Sequence, residues 1–224
     1  MSDTPTERAY AAAGIPLEVA GVRLPDSSLA RSATELARQV YPPFLLNHAL
    51  RTYLFGSLVG IAHGHKCDQE TLYLACVMHD FGLTSRFEGD RPFEIEGAEA
   101  ARRFLESQHA MPEKLNVVWD GIALHASPYA AFKSAEVFLV SAGAGADVLG
   151  ADPSIIPRAT LDEVVKAFPR LRFKTAFLNT CADVVRRHPE GAGRTFMRDI
   201  GERFVVDFRP KNFSDLVEQA PFPE

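Results

Sequence analysis

The sequence is short of nearly everything that would tie a chain to nucleic acid or to a membrane. It has no run of five or more Lys and Arg, its net charge is −5 and its pI is near 5.8. Neither a polyanion nor an anionic bilayer is therefore an expected partner. No interleaving of aromatic and basic residues offers a platform for stacking bases. No apolar run approaches the ~18–20 residues that span a bilayer. The opening MSDTPTERAY is polar and balanced in charge, unlike a secretory signal. Cysteine is scarce: Cys67, Cys76 and Cys181 are odd in number and form no CxxC pair. They read as free thiols, two of them buried, in a cytoplasmic protein. Alternation of period two never persists, and there is no internal repeat or low-complexity tract, so an all-α fold is expected.

What is present suits one helical domain. The 224 residues are 46% hydrophobic and 24% charged, enough for a sizeable core. Pro5, Pro16 and Pro25 with Gly14 and Gly21 predict an irregular N-terminal arm over residues 1–25. The helical domain is expected over 26–207, and a docked, proline-rich C-terminal arm over 208–224. Asp26-Ser27-Ser28 offers caps for a helix reaching about Tyr41. Phe44 to His63 is apolar on more than one face and predicts a central helix. Further helices are expected over Glu94–His109, Pro112–His125, Ala135–Leu149, Leu161–Phe168, Phe173–His188 and Thr195–Phe204. Leu83 to Phe93 has the Gly, Pro and charges of a loop. Gly143 and Gly145 weaken the helix that holds them but let neighbouring backbones come close.

The stretch around which the chemistry gathers is Leu72 to Gly82, LYLACVMHDFG. An apolar helix there holds His79 and Asp80 on a stiff support, and imidazole and carboxylate can share one divalent cation just beyond its end. Gly82 is expected to close the helix in the left-handed conformation. Other polar residues in apolar helices stand out for the same reason: His48, His125 and Asp147. A buried carboxylate such as Asp147 costs several kcal/mol unless it is paired or metal-bound; pairing with Arg51 is the structural alternative. Asp183 competes as a ligand, although Arg186 and Arg187 nearby suit a surface pair better. His63, His65, His109 and His188 sit in polar settings or near helix ends.

Together His48, His79-Asp80 and Asp147 resemble the HD-domain metal-dependent hydrolase superfamily: a His, an adjacent His-Asp and a distant Asp on separate helices of an α-bundle. NHALRTYLFG around His48 is similar to the N-H-x-x-R-T-Y-x-F-G signature of the cyanamide hydratase-like branch. HDFGLTSRFEGDRPFEIEGAEAA is similar to its HD-x-G-L-T-x-R-F segment, running on to F-E-x-x-G-A. The resemblance implies an HD-domain helical bundle with His48, His79, Asp80 and Asp147 as ligands of one divalent metal ion, Zn foremost, with Fe and Mn as alternatives. It implies a hydratase adding water to the nitrile of cyanamide or a related small nitrile. Such a substrate calls for a tight, largely apolar pocket, with Phe44, Tyr53, Phe81, Phe87, Phe93 and Trp119 as candidate walls. Thr84, Glu96 and His125 are the candidates for orienting substrate or relaying protons. The runner-up is an HD phosphohydrolase, for which Arg86 and Arg91 are the candidate phosphate contacts; a ligand-sensing domain without turnover is the third class. The expected partner is a small-molecule substrate, with a homodimer formed through the apolar helices.

Overall fold

The computed structural model describes residues 14–222. It is an all-α bundle with one minimal ribbon of strands. The ribbon pairs β1 (Glu18–Val19) with β2 (Val22–Arg23) in antiparallel register, Val19 opposite Val22. Ala20 and Gly21 both take positive φ, the backbone a two-residue hairpin needs. The described part of the expected arm is thus ordered by a turn, and Val19, Val22 and Leu24 bury against the bundle. Residues 1–13 of that arm lie outside the described residues.

Helix α1 (Ser28–Val40) begins where the Ser27 hydroxyl accepts the Ala30 amide at 3.0 Å. Pro43 opens α2 (Pro43–His63), and Gly64 closes it at φ 68°. Asp68 caps α3 (Gln69–Met78) by accepting the Thr71 amide at 2.7 Å. α2 and α3 form the centre of the bundle: Leu72 to Met78 is wholly buried, and α2 buries residues on every side, including Arg51. Around them lie α4 (Phe93–Ser107), α5 (Pro112–Leu124) and α6 (Ala135–Leu149). The C-terminal part adds α7 (Arg158–Ala167), α8 (Phe173–Arg187), the single turn α9 (Pro189–Ala192), α10 (Met197–Phe204) and α11 (Phe213–Glu218). Phe208 is buried, but α11 buries none of its residues, so the expected docking of the last arm is limited to its start.

Two close approaches position the site. A Cβ on Gly143 would meet the Thr52 carbonyl at 2.1 Å, and one on Gly56 the Leu139 carbonyl at 2.5 Å. α2 and α6 therefore touch backbone to backbone, which brings His48 and Asp147 within reach of each other. The second is at Gly82, in the short 3-10 turn Phe81–Leu83. Gly82 is not left-handed; a Cβ there would lie 1.9 Å from the Phe93 carbonyl oxygen. The expected C-cap role is thus replaced by a packing role: the missing side chain lets α4 sit on the turn that carries Asp80. No helix among the described residues is long and apolar enough to cross a membrane.

Candidate metal centre

α3 stops at Met78, so His79 is its C-cap and Asp80 leads into the 3-10 turn. That change of direction lets two sequence neighbours face one point, which on a continuing helix they would not. The Asp80 amide donates to the Tyr41 hydroxyl at 3.1 Å, fixing the turn. His48 reaches the same point from α2. His48 Nε2 lies 3.2 Å from His79 Nε2 and 3.5 Å from Asp80 Oδ2, and His79 Nε2 lies 3.3 Å from the same oxygen. All three side chains are buried.

The other ring nitrogens decide what these atoms can do. His79 Nδ1 is 2.7 Å from the Cys76 carbonyl, and His48 Nδ1 is 2.7 Å from Asp147 Oδ2. A carbonyl and a carboxylate only accept, so both Nδ1 atoms carry the hydrogen and donate it. Two bare Nε2 lone pairs and a carboxylate oxygen then converge, and Asp80 Oδ2 has no hydrogen-bond partner among the described residues. Three acceptors with nothing to accept fit a divalent cation, and imidazoles anchored through Nδ1 are the usual supporting arrangement. The electrostatics agree. Burial disfavours charge on Asp80, yet the surrounding imidazoles, His79 first, bring its pKa down to about 2. Burial likewise lowers His79, but Asp80 outweighs it and lifts the ring above the ordinary imidazole value, so the cluster draws positive charge to itself.

Asp147 departs from the expected set of four ligands. It is buried and touches His48, but at Nδ1, on the far side of the ring from the shared point. Its oxygens are occupied: Arg51 donates to both, from Nε at 2.8 Å and from a terminal nitrogen at 2.7 Å, and Arg170 donates to Oδ1 at 2.7 Å. Burial opposes the charge, but the bonds from His48 and Arg51 hold the carboxyl well below the usual carboxylate range. Asp147 orients the His48 ring and fixes its tautomer. Arg170 arrives from the corner before α8, where Leu171 and Arg172 both have positive φ. Arg51 also donates to the Phe168 carbonyl at 2.9 Å, and Asn47 to the Pro169 carbonyl at 2.8 Å, so the corner is tied to α2.

The cluster forms the floor of a pocket of about 390 Å³. His125, at the end of α5, is on its wall. Its Nδ1 faces the Ile122 carbonyl at 2.7 Å, leaving Nε2 bare and 3.8 Å from Asp80 Oδ1. Burial pushes its pKa down to about 4, so the ring is neutral. Of the three expected catalytic residues, only His125 is there. Thr84 is buried but donates to the Phe81 carbonyl at 2.6 Å, closing the turn. Glu96 is bound outside by Arg91 at 2.7 Å, a bond that holds its carboxyl below the ordinary value. None of the six expected aromatic walls lines the pocket; Phe177 and Phe196 do, and Phe93 backs His125 from 5.6 Å. No Lys or Arg is among the lining residues. Arg86 lies over the Phe87 ring and Arg91 is engaged by Glu96, so neither phosphate contact is in place. Asp183 pairs with Arg186 at the surface, and His63, His65 and His109 are exposed.

Glu94 is a buried carboxyl that the sequence pattern does not single out. It opens α4 and is 4% exposed. It bonds to Thr195, while its Oε2 has no hydrogen-bond partner among the described residues. Burial first, then the Asp80 charge, raises its pKa to about 7.

An α-helical bundle whose buried imidazoles and carboxylate converge at the floor of an apolar pocket defines a candidate metal-dependent enzyme. No model of a known protein family matches the chain. The chain is 23% identical over 209 residues to cyanamide hydratase DDI2 of Saccharomyces cerevisiae, a match covering 90% of this chain and 92% of the relative. It stands equally close to cyanamide hydratase DDI3 of the same yeast. An uncharacterized protein of Clostridium beijerinckii is 24% identical over 80 residues, 36% of this chain and 51% of that protein.

Proposed function

We propose that this protein is an HD-domain hydratase that adds water to a nitrile, cyanamide or a related molecule, with one divalent cation, Zn²⁺ foremost, held by His48, His79 and Asp80. The observation that carries the reading is the convergence of two bare imidazole nitrogens and an unpartnered carboxylate oxygen on a pocket without a cationic side chain. Three protein ligands with an open position are the pattern of catalytic rather than structural zinc sites. A cation bound there supplies Lewis acidity, lowering the pKa of water so that it is nucleophilic at neutral pH. The chain's own residues do the rest. Asp147 and the Cys76 carbonyl hold the two rings so that their Nε2 atoms face inward. Neutral His125 presents a bare Nε2 to the pocket, where it takes a proton from water and returns it to the nitrile nitrogen. The long likeness to the two yeast proteins, named as cyanamide hydratases, supports the same chemistry.

The test is urea release from cyanamide by zinc-loaded protein, with metal content measured on the same sample. Turnover and about one ion per chain are expected, with turnover abolished in Asp80→Asn and His79→Ala and retained in Glu96→Gln. Phosphate release from nucleotides with cyanamide left intact would overturn the proposal.

A further inference from the structure

The pocket is far larger than the molecule that the proposed reaction minimally requires. On the scale by which a cavity of about 150 Å³ holds a benzene ring, a molecule of three non-hydrogen atoms such as cyanamide needs roughly 75 Å³. The pocket above the cluster measures about 390 Å³. The excess is not polar space. Beyond the three histidines and Asp80, its walls are Ala144, Gly145, Val148 and Leu149 of α6 with Phe177 and Phe196, and the polar contributions come from Ser127 and Ser141. Leu149, at the rim, is 88% exposed. Cyanamide alone would leave these apolar walls in water, and no binding energy would come from them.

Gly145 makes this enlargement specific. Gly143, one half-turn earlier, is required by the contact with α2, but a Cβ on Gly145 would meet nothing within 4 Å. Gly145 is helical and needs no positive φ. The absent side chain there serves neither packing nor backbone conformation; what it leaves is volume.

Resting on the hydratase reading, we infer that the substrate is a substituted nitrile or cyanamide bearing an uncharged apolar group of up to roughly twelve non-hydrogen atoms, on the 150 Å³ scale above, seated against α6 and Phe177. The reaction is balanced without a further reactant. The oxygen of water bonds to the nitrile carbon, the C≡N bond is reduced to a single bond as C=O forms, and both water hydrogens finish on nitrogen. N-Benzylcyanamide would give N-benzylurea as cyanamide gives urea.

The experiment compares N-benzylcyanamide with cyanamide on zinc-loaded protein, following both ureas by mass spectrometry. Calorimetry of N-benzylurea and urea on metal-free protein provides a readout that needs no turnover. We expect kcat/KM to favour the benzyl compound at least tenfold, on the scale of one well-placed methylene, and N-benzylurea to bind at least tenfold tighter than urea. Gly145→Leu should lower both ratios tenfold or more. Turnover that favours cyanamide, or ratios unmoved by Gly145→Leu, would overturn the inference and leave the hydratase reading intact. Tight N-benzylurea binding that Gly145→Leu weakens, with neither substrate consumed, would sink the hydratase reading while supporting the assignment of the apolar pocket.

Discussion

Replacing Glu94 by Gln should make the metal-free protein more stable at pH 8 and take away most of a stability loss that the wild type suffers between pH 5 and pH 8. Its pKa is about 7 in the fold against an ordinary 4.5. The native state therefore holds a proton that the unfolded chain has already released in the window between those values. Where the native state binds more protons, stability falls as pH rises. The shift of about 2.5 units corresponds to roughly 3 kcal/mol at 1.36 kcal/mol per unit, of which about 2–3 kcal/mol falls between pH 5 and pH 8. Glutamine keeps the shape and carries no charge, so urea denaturation of both proteins at the two pH values isolates this residue. The double difference should favour Glu94→Gln at pH 8 by about 2 kcal/mol. A double difference near zero would refute the reasoning, because a buried carboxyl without that penalty must have a partner for Oε2.

Asp147→Asn should destabilise the protein by about 3–5 kcal/mol, since Arg51 stays buried beside a neutral group. The same change should weaken zinc binding by roughly 10–100-fold through the loosened His48 ring, measurable by chelator competition at a temperature where the variant is folded. The two glycines of α6 should respond in opposite directions to alanine. Gly143→Ala forces α2 and α6 apart and should cost about 1–3 kcal/mol, whereas Gly145→Ala meets open space and should add about 0.4–1 kcal/mol. Thermal melts compare them directly, and a neutral Gly143→Ala would contradict the backbone contact.

Much of this arrangement was legible in the amino-acid order because polar residues in apolar helices are rare and have to be accounted for. His48, His79, Asp80 and His125 stood out on that ground, and the structure gathers them at one pocket. The role of Asp147 was not legible in full. Arg51, one turn from His48, was visible as a partner, but Arg170 comes through an irregular corner that no periodicity announces. Glu96 and Glu94 differ in the face of α4 they occupy. In α4, Glu94 falls in line with Gly97, Ala98 and Ala101, the buried stripe, while Glu96 falls in line with Glu99 and Arg103. The stripe carries Glu94, not Glu96, into the interior. Gly82 differs from expectation for a different reason: a glycine after a helix suits a left-handed cap and a tight contact equally, and only the position of α4 separates the two.

The corner at Leu171 and Arg172 has a consequence for how the centre ages under heat. Two successive non-glycine residues in the left-handed region are strained, at a cost of order 1–3 kcal/mol each. What keeps them there is a handful of bonds from Asn47, Arg51 and Arg170, and the last two also grip the carboxylate that steers His48. The corner thus behaves as a loaded latch. When it springs, the steering carboxylate loses a cation and the imidazole can swing out of line, while the helices behind it are still intact. Competence should fade before the bundle melts.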